Sequence, residues 1–349
     1  MEVAVNNKIY FLSDFHLGAP NAAESLIREK KIIQFLNEIK EDAAQIFIVG
    51  DLFDFWYEYK KVVPRGYVRI LGKLAELTDA GIPVHFFVGN HDMWMKDYFQ
   101  KELNIPVYFE PVAFEFNGKK FLVGHGDGLG PGDHGYKFIK KIFRNKACSW
   151  LFGVLPPYIG MGIANYFSKK SRAQTGQTNE IFLGEDKEWL IIYCKEVIQK
   201  EHYDYLIFGH RHLPIDFKLN PNSYRESRYI NLGDWIKYYS YAVFDGENTE
   251  LKYYAQRSSY VEFKANVRNK TFVGEWYQRV NEVFGIDASS AVKGFALQQI
   301  ADEHFYHLSA EVLLKLKTEG VTHILTRKEF PSSAGSLILS NNTYAVYQL

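Results

Sequence analysis

The sequence predicts an α/β fold: a mostly parallel or mixed sheet flanked by helices, with a helical cap inserted into it and a small α/β appendage at its C-terminal end. Three observations lead there. Short apolar runs alternate with longer amphipathic ones over residues 1–255, the pattern of βαβ units. Five of the apolar runs stop at a sharp turn followed at once by Asp, Asn or His. That rhythm is interrupted from about residue 128 to 180, the expected cap, and is absent from residues 258–349, the expected appendage.

In chain order, residues 8–13 read as a strand, and residues 22–39 as a helix with Leu26, Ile27, Ile33, Phe35, Leu36 and Ile39 suited to one buried face. Residues 46–49 form the next strand. A second helix is expected over about 66–80, stopped by Gly81 with Pro83 just beyond, and a strand over 84–88. Residues 107–116 and 119–123 read as a hairpin turning at Asn117-Gly118, a strong two-residue turn signal. A helix over 185–200 feeds a strand over 203–208, and closing strands are expected at 229–231, 241–244 and 251–254. In the appendage, residues 272–284 and a run from Ser309 to Gly320 read as helices, and residues 321–326, 336–339 and 344–348 as strands.

The turns after the strands carry the chemistry. They hold Asp14 and His16, then Asp51 and Asp54, then Asn90-His91-Asp92, then His125-Gly126-Asp127, and finally His210 and His212. In open α/β sheets ligands gather at the carboxyl ends of strands, which is where all five fall. Carboxylate, imidazole and one amide oxygen make a borderline-hard donor set suited to Mn²⁺, Fe or Zn²⁺, and the lack of thiolates argues against a structural zinc cage. Two ions need a shared ligand, for which Asp51 is the best placed, and such a pair suits hydrolysis of phosphoesters or phosphoanhydrides. The balance of 41 basic and 41 acidic residues argues against bulk capture of nucleic acid. The two cysteines, Cys148 and Cys194, fit neither a zinc spacing nor a disulfide framework, so a reducing cytoplasm is the simpler expectation. No signal peptide or membrane span is expected either.

Together the motifs Asp14-x-His16, Gly50-Asp51-x-x-Asp54, Gly89-Asn90-His91-Asp92, Gly124-His125-Gly126-Asp127 and Gly209-His210-x-His212 resemble the signature of the calcineurin-like metallophosphoesterases. Within them the chain is most similar to the UDP-2,3-diacylglucosamine diphosphatases of lipid A synthesis. The resemblance covers about residues 1 to 255 and implies a metallophosphoesterase sheet sandwich flanked by helices. It implies two divalent metal ions, Mn²⁺ the expected species, one on Asp14, His16, Asp51 and His212 and the other on Asp51, Asn90, His125 and His210. A histidine at position 91 is expected to protonate a leaving group, with Asp92 orienting it. One departure stands out: many members of the lipid A group have arginine where this chain has His91.

The substrate reading rests on the continuation Asp54-Phe55-Trp56, on Asp133 and Tyr136 beyond the fourth motif, and on the cap. In the cap, Lys137, Lys140, Lys141 and Arg144 alternate with Phe138, Ile139, Ile142 and Phe143, as in a helix lying in a membrane interface or one packed on a core. Ser171 and Arg172 are further candidates for substrate contact. The expected partners are a lipid-linked UDP-sugar and a membrane surface, on the inner face of the cytoplasmic membrane, and not nucleic acid. Two alternatives stay open: a soluble phosphodiesterase for nucleotides or nucleic acid, and a non-catalytic scaffold of the same fold.

Overall fold

The computed structural model describes residues 8–132, 134–160, 162–163, 182–220, 224–254, 310–318, 323–327, 336–340 and 344–348. The chain divides into two units, Met1–Ala255 and Gln256–Leu349. The first begins with β1 (Lys8–Leu12), α1 (Ala22–Ile39), β2 (Ala43–Val49), α2 (Val68–Asp79), β3 (Val84–Phe87), α3 (Tyr98–Glu102) and β4 (Val107–Tyr108). It continues with β5 (Val112–Phe116), β6 (Lys119–Gly124), α4 (His134–Phe143), α5 (Lys146–Val154), α6 (Trp189–Lys200) and β7 (Tyr205–Phe208). Four strands close it: β8 (Pro214–Lys218) and β9 (Arg228–Leu232), then β10 (Ser240–Phe244), with β11 (Thr249–Tyr253) as the edge.

Strands apolar at successive positions need cover on both faces, and these find it in a sandwich of two sheets between helices. One sheet has the order β11-β10-β1-β2-β3-β4 and the other β5-β6-β7-β9-β8. Ile9, Phe11, Phe47, Val49 and Phe87 of the first sheet meet Phe121, Val123, Tyr205, Ile207 and Ile230 of the second. With a side-chain period of two, the alternates Tyr10, Leu12, Ile46, Ile48, Val84 and Phe86 face outward and are covered by α1 and α2. Outward-facing Leu122, Leu206, Phe208 and Tyr229 of the second sheet are covered by Leu190, Ile191 and Cys194 of α6. Parallel pairing joins β1, β2, β3 and β4, and separately β6, β7 and β9, so the carboxyl ends of the central strands in each sheet share one edge.

Three expectations are corrected. Residues 107–116 are not one hairpin arm: β4 pairs with β3 in the first sheet and β5 with β6 in the second, split by Pro111, which cannot donate to a ladder. The turn itself stands, with Asn117 and Gly118 at φ 47° and 74°, the left-handed pair of a type I′ hairpin. The buried stripe of α1 runs through Ser25, Arg28 and Glu29 before reaching Ile32, Phe35, Leu36 and Ile39, while Ile27 is exposed. Its first half faces the loops beyond β1 rather than the apolar core. Strand β8 went unread because its sequence, Pro214-Ile-Asp-Phe-Lys, has a proline and two charges on a sheet edge.

In the second unit the described elements are α7 (Ala310–Thr318) and a sheet of β12 (His323–Arg327), β13 (Ser336–Ser340) and β14 (Tyr344–Gln348), antiparallel with β14 central. The helix expected over 272–284 lies outside the described residues.

Candidate metal centre

Three of the five motifs leave their strands through backbone that most residues avoid. Asp14, His16, Asp51, His210 and His212 all have φ between 44° and 65°, the left-handed region, which costs roughly 1 kcal/mol or more per non-glycine residue. The tight turns let donors from five strand ends face one point. The motif glycines make room for them. A Cβ on Gly50 would lie 2.3 Å from His125 Nδ1, one on Gly89 2.2 Å from Asp51 Oδ1, and one on Gly209 2.6 Å from Asp14 Oδ2. Gly89→Ala should therefore displace the Asp51 carboxylate and weaken uptake of Mn²⁺ by about tenfold or more, the scale on which groups supporting metal ligands act. Calorimetric titration checks it, and an unchanged isotherm would contradict this account of the turn.

Three groups of donors emerge, two of them sharing Asp51 and the third made of His16, Asp54 and His91. Ligand atoms of Asp14, His16, Asp51 and His212 lie within 4.8 Å of one another, and so do those of Asp51, His125 and His210. Asp51 Oδ2 stands 3.6 Å from His16 Nε2 and 3.4 Å from His125 Nε2, one nitrogen from each group that shares it. On the other side Asp14 Oδ1 is 3.3 Å from His212 Nε2, and His16 Nε2 faces His212 Nε2 at 3.2 Å. Asn90 Oδ1 is 3.1 Å from His125 Nε2. Donors bound at about 2.0 to 2.2 Å to a common ion stand roughly 3 to 3.6 Å apart, so these gaps suit an ion between them. Among the described residues, Asp14 Oδ1, Asp51 Oδ2 and His16 Nδ1 are buried without a hydrogen-bond partner. Buried carboxylate oxygens so placed are costly unless something positive meets them. The donor set fits divalent ions.

The electrostatics agree. Burial would raise the Asp14 carboxyl, but His212, His16 and His125 hold it down at about 2. Asp51 is likewise held well below the carboxylate range, against its burial, chiefly by His125 and His91. Burial would depress His125, yet Asp51 beside it pushes the imidazole up to about 10, whereas burial and the charge of His125 push His210 down to about 4. Both carboxylates thus stay ionised among the imidazoles, as holding a cation requires.

The imidazoles are fixed from behind. His125 Nδ1 lies 2.8 Å from the Val49 carbonyl, and His212 Nδ1 3.3 Å from Asp234 Oδ2, directing each Nε2 inward. Asp234 Oδ1 accepts from the amides of Ile236, Lys237 and Tyr238. Asp234 was missed in the sequence although Leu232-Gly233-Asp234 repeats the strand, glycine, carboxylate rhythm. Arg28, buried on α1, donates to the carbonyls of His16 and Ala19, and no local motif announces it. His91 Nδ1 sits 2.9 Å from the Asp54 carbonyl. Asp92 does not orient His91: its oxygens accept from the amides of Leu52 and Gly89, at 3.0 and 2.7 Å, so it shapes the turns around Asp51 instead. Burial and the nearby charge of Asp51 push the Asp92 carboxyl up to about 7.

Of the residues expected to meet substrate, Tyr136 falls within α4, and Asp133, Ser171 and Arg172 lie outside the described residues. The cap helices rest on the loops that follow Asp51 and Asn90. Tyr57 donates its hydroxyl to the Ser149 carbonyl at 2.6 Å, and Trp94 Nε1 to that of Phe143 at 2.7 Å. Lys140 of α4 reaches Asp127 Oδ2 at 2.6 Å. A cavity of about 690 Å³ lies between cap and loops, lined by Tyr57, Met93, Trp94, Phe143, Trp150 and Val154 among others, with Lys60, Lys96 and Arg144 also bordering it.

The model of the calcineurin-like phosphoesterase family matches residues 7–214. The chain belongs to this family. Calcineurin-like phosphoesterases are hydrolases of phosphate esters that use divalent metals, and this chain has clusters of side chains that could hold one. A protein of Porphyromonas gingivalis named UDP-2,3-diacylglucosamine hydrolase is 38% identical over 260 residues, 71% of this chain and 98% of that one. Proteins of the same name from Aeromonas hydrophila and Histophilus somni are 27% and 28% identical, over 65% of this chain and 90% and 92% of theirs.

Proposed function

We propose that the protein cleaves the pyrophosphate bond of UDP-2,3-diacylglucosamine, releasing UMP and 2,3-diacylglucosamine 1-phosphate for lipid A synthesis. Its two divalent ions, Mn²⁺ first among the candidates, are assigned to Asp14, His16, Asp51, Asn90, His125, His210 and His212. The observation that carries the hydrolytic reading is Asp51 Oδ2, buried and facing an imidazole of each donor group at 3.6 and 3.4 Å. A carboxylate so shared is what a two-ion site requires. Bound there, the ions would neutralise phosphate charge and activate water for in-line attack. The chain's own residues hold that geometry: Val49 and Asp234 turn His125 and His212 inward, Arg28 fixes the His16 loop, and His91 keeps Nε2 for a substrate oxygen.

The substrate is supported by the relatives, which share most of their length with this chain, and by the apolar cavity under the cap beside the Asp51 and Asn90 loops. Mass spectrometry of products after incubation with UDP-2,3-diacylglucosamine and Mn²⁺ tests it. UMP and the diacyl sugar phosphate are expected. Hydrolysis of an aryl phosphodiester with no turnover of the lipid would keep the two-ion site and discard the substrate.

No described helix is long and apolar enough to cross a membrane. Phe138, Trp150, Leu151, Val154 and Tyr158 of the cap are all exposed by more than 60%, a greasy surface beside Lys141. We read it as a docking face for the inner surface of the cytoplasmic membrane. Phe138→Asp with Leu151→Asp should cut cosedimentation with anionic vesicles by about tenfold or more, each apolar side chain contributing about 1.5 kcal/mol or more when buried. Hydrolysis of a soluble aryl diester should stay within about twofold, and unchanged sedimentation would remove the membrane reading. Residues 1–255 are assigned as the catalytic unit with its cap at about 128–180, and residues 258–349 as a separate small domain.

A further inference from the structure

We infer that Arg211 and Glu188 form a positioning pair that sets the metal affinity of the His210–His212 loop from behind it. The inference rests on the two-ion reading proposed above. Arg211 lies between two donors whose backbones are both left-handed, at φ 65° and 55°. Its neighbours turn toward the centre and it turns away, into the protein, where it is 1% exposed. There it meets Glu188, equally buried, as a two-pronged pair: Nε to Oε2 at 3.0 Å and Nη2 to Oε1 at 3.1 Å. The guanidinium also lies 5.4 Å from the Trp189 ring centre.

Glu188 is itself anchored. It stands at the start of α6, and its Oε1 also accepts from the Leu183 amide at 3.0 Å. The first turn of α6 also bears on a second donor loop, for Leu190 lies 3.2 Å from where a Cβ on Gly126 would sit, directly after His125. One helix start therefore supports both loops that carry the imidazoles of the second donor group, His125 and His210. The Arg211 amide closes the loop on the Gly209 carbonyl at 2.7 Å.

Stability alone does not account for such a pair. Two buried charges are costly to desolvate, and well-packed apolar residues of similar volume often do as well. What an apolar pair lacks is direction. A planar guanidinium gripped at two points fixes the path of the backbone that bears it, and lysine cannot reproduce the fork.

The test uses the full-length metal-free protein, titrated with Mn²⁺ in a calorimeter and melted in parallel without metal. The variants are Arg211→Lys and the paired substitution Arg211→Met with Glu188→Leu. The paired variant is expected to melt within a few degrees of wild type yet bind Mn²⁺ about 10- to 100-fold more weakly, as for other groups that orient metal ligands. Arg211→Lys, which keeps the charge and can keep one bond, should fall between the two. Its titration keeps the inference open to refutation should the paired variant fold poorly. Wild-type affinity in either variant would overturn the inference and leave the two-ion reading standing. Wild-type protein that takes up no Mn²⁺ would remove both.

Discussion

Asp51→Asn is expected to lower phosphodiester hydrolysis at saturating Mn²⁺ by about 10³-fold or more. The substitution keeps the shape, and the asparagine oxygen can still accept from the His91 amide as Asp51 Oδ1 does at 2.8 Å. What changes is the other oxygen, which becomes an amide nitrogen facing His16 and His125. The site loses a full negative charge where both donor groups meet, and an NH₂ group cannot coordinate a cation. Stabilisation of phosphoryl charge by bound ions is worth several kcal/mol, and each 1.36 kcal/mol is tenfold in rate. Initial rates on an aryl phosphodiester across a Mn²⁺ series check the prediction. The metal-free variant should melt below wild type, since His125 and His91 hold this carboxylate well below its ordinary range and its negative charge therefore favours the folded state. Activity within tenfold of wild type would mean that Asp51 is not shared between ions.

The same carboxylate shows how far the sequence could be read. Asp51, with Asp14, His16, Asn90, His125, His210 and His212, stood out because each follows an apolar strand through a turn, and strand ends of parallel ladders share an edge. That logic is local, so it needs no tertiary information. Arg28, Glu188 and Arg211 are the opposite case. Each is a charged residue on what reads as a solvent face, and its burial depends on a partner far along the chain, as Glu188 and Arg211 do across 23 positions. Helix α6 begins at Trp189 rather than 185, because residues 184–188 form a turn in which the Lys187 and Glu188 amides close on the Gly184 carbonyl. The split of residues 107–116 between two sheets was equally hidden, because the apolar pattern of β4 and β5 does not say which sheet each strand joins. Asp234 lies between these cases. Its motif was local and visible, but its role, holding His212 Nδ1, exists only in the folded site.

His91→Ala is expected to act selectively, according to the leaving group. The imidazole has Nδ1 on the Asp54 carbonyl, so a proton on Nε2 would make it an imidazolium. Burial, with the nearby imidazoles, pushes its pKa down to about 4 despite Asp51, and divalent ions alongside would push it further. The charged form therefore needs the negative charge of a bound phosphate. An alkoxide leaving group demands that proton, and its loss should cost about 10² to 10⁴ in kcat. A sugar 1-phosphate leaving from a pyrophosphate does not, because a phosphate monoester with a second pKa near 6 departs readily as its anion. On UDP-2,3-diacylglucosamine the same variant should lose less than about tenfold, leaving the larger loss to alkyl diesters. Parallel kcat measurements on an alkyl diester and on the pyrophosphate decide it: equal losses on both would show that His91 holds the phosphate and does not supply a proton.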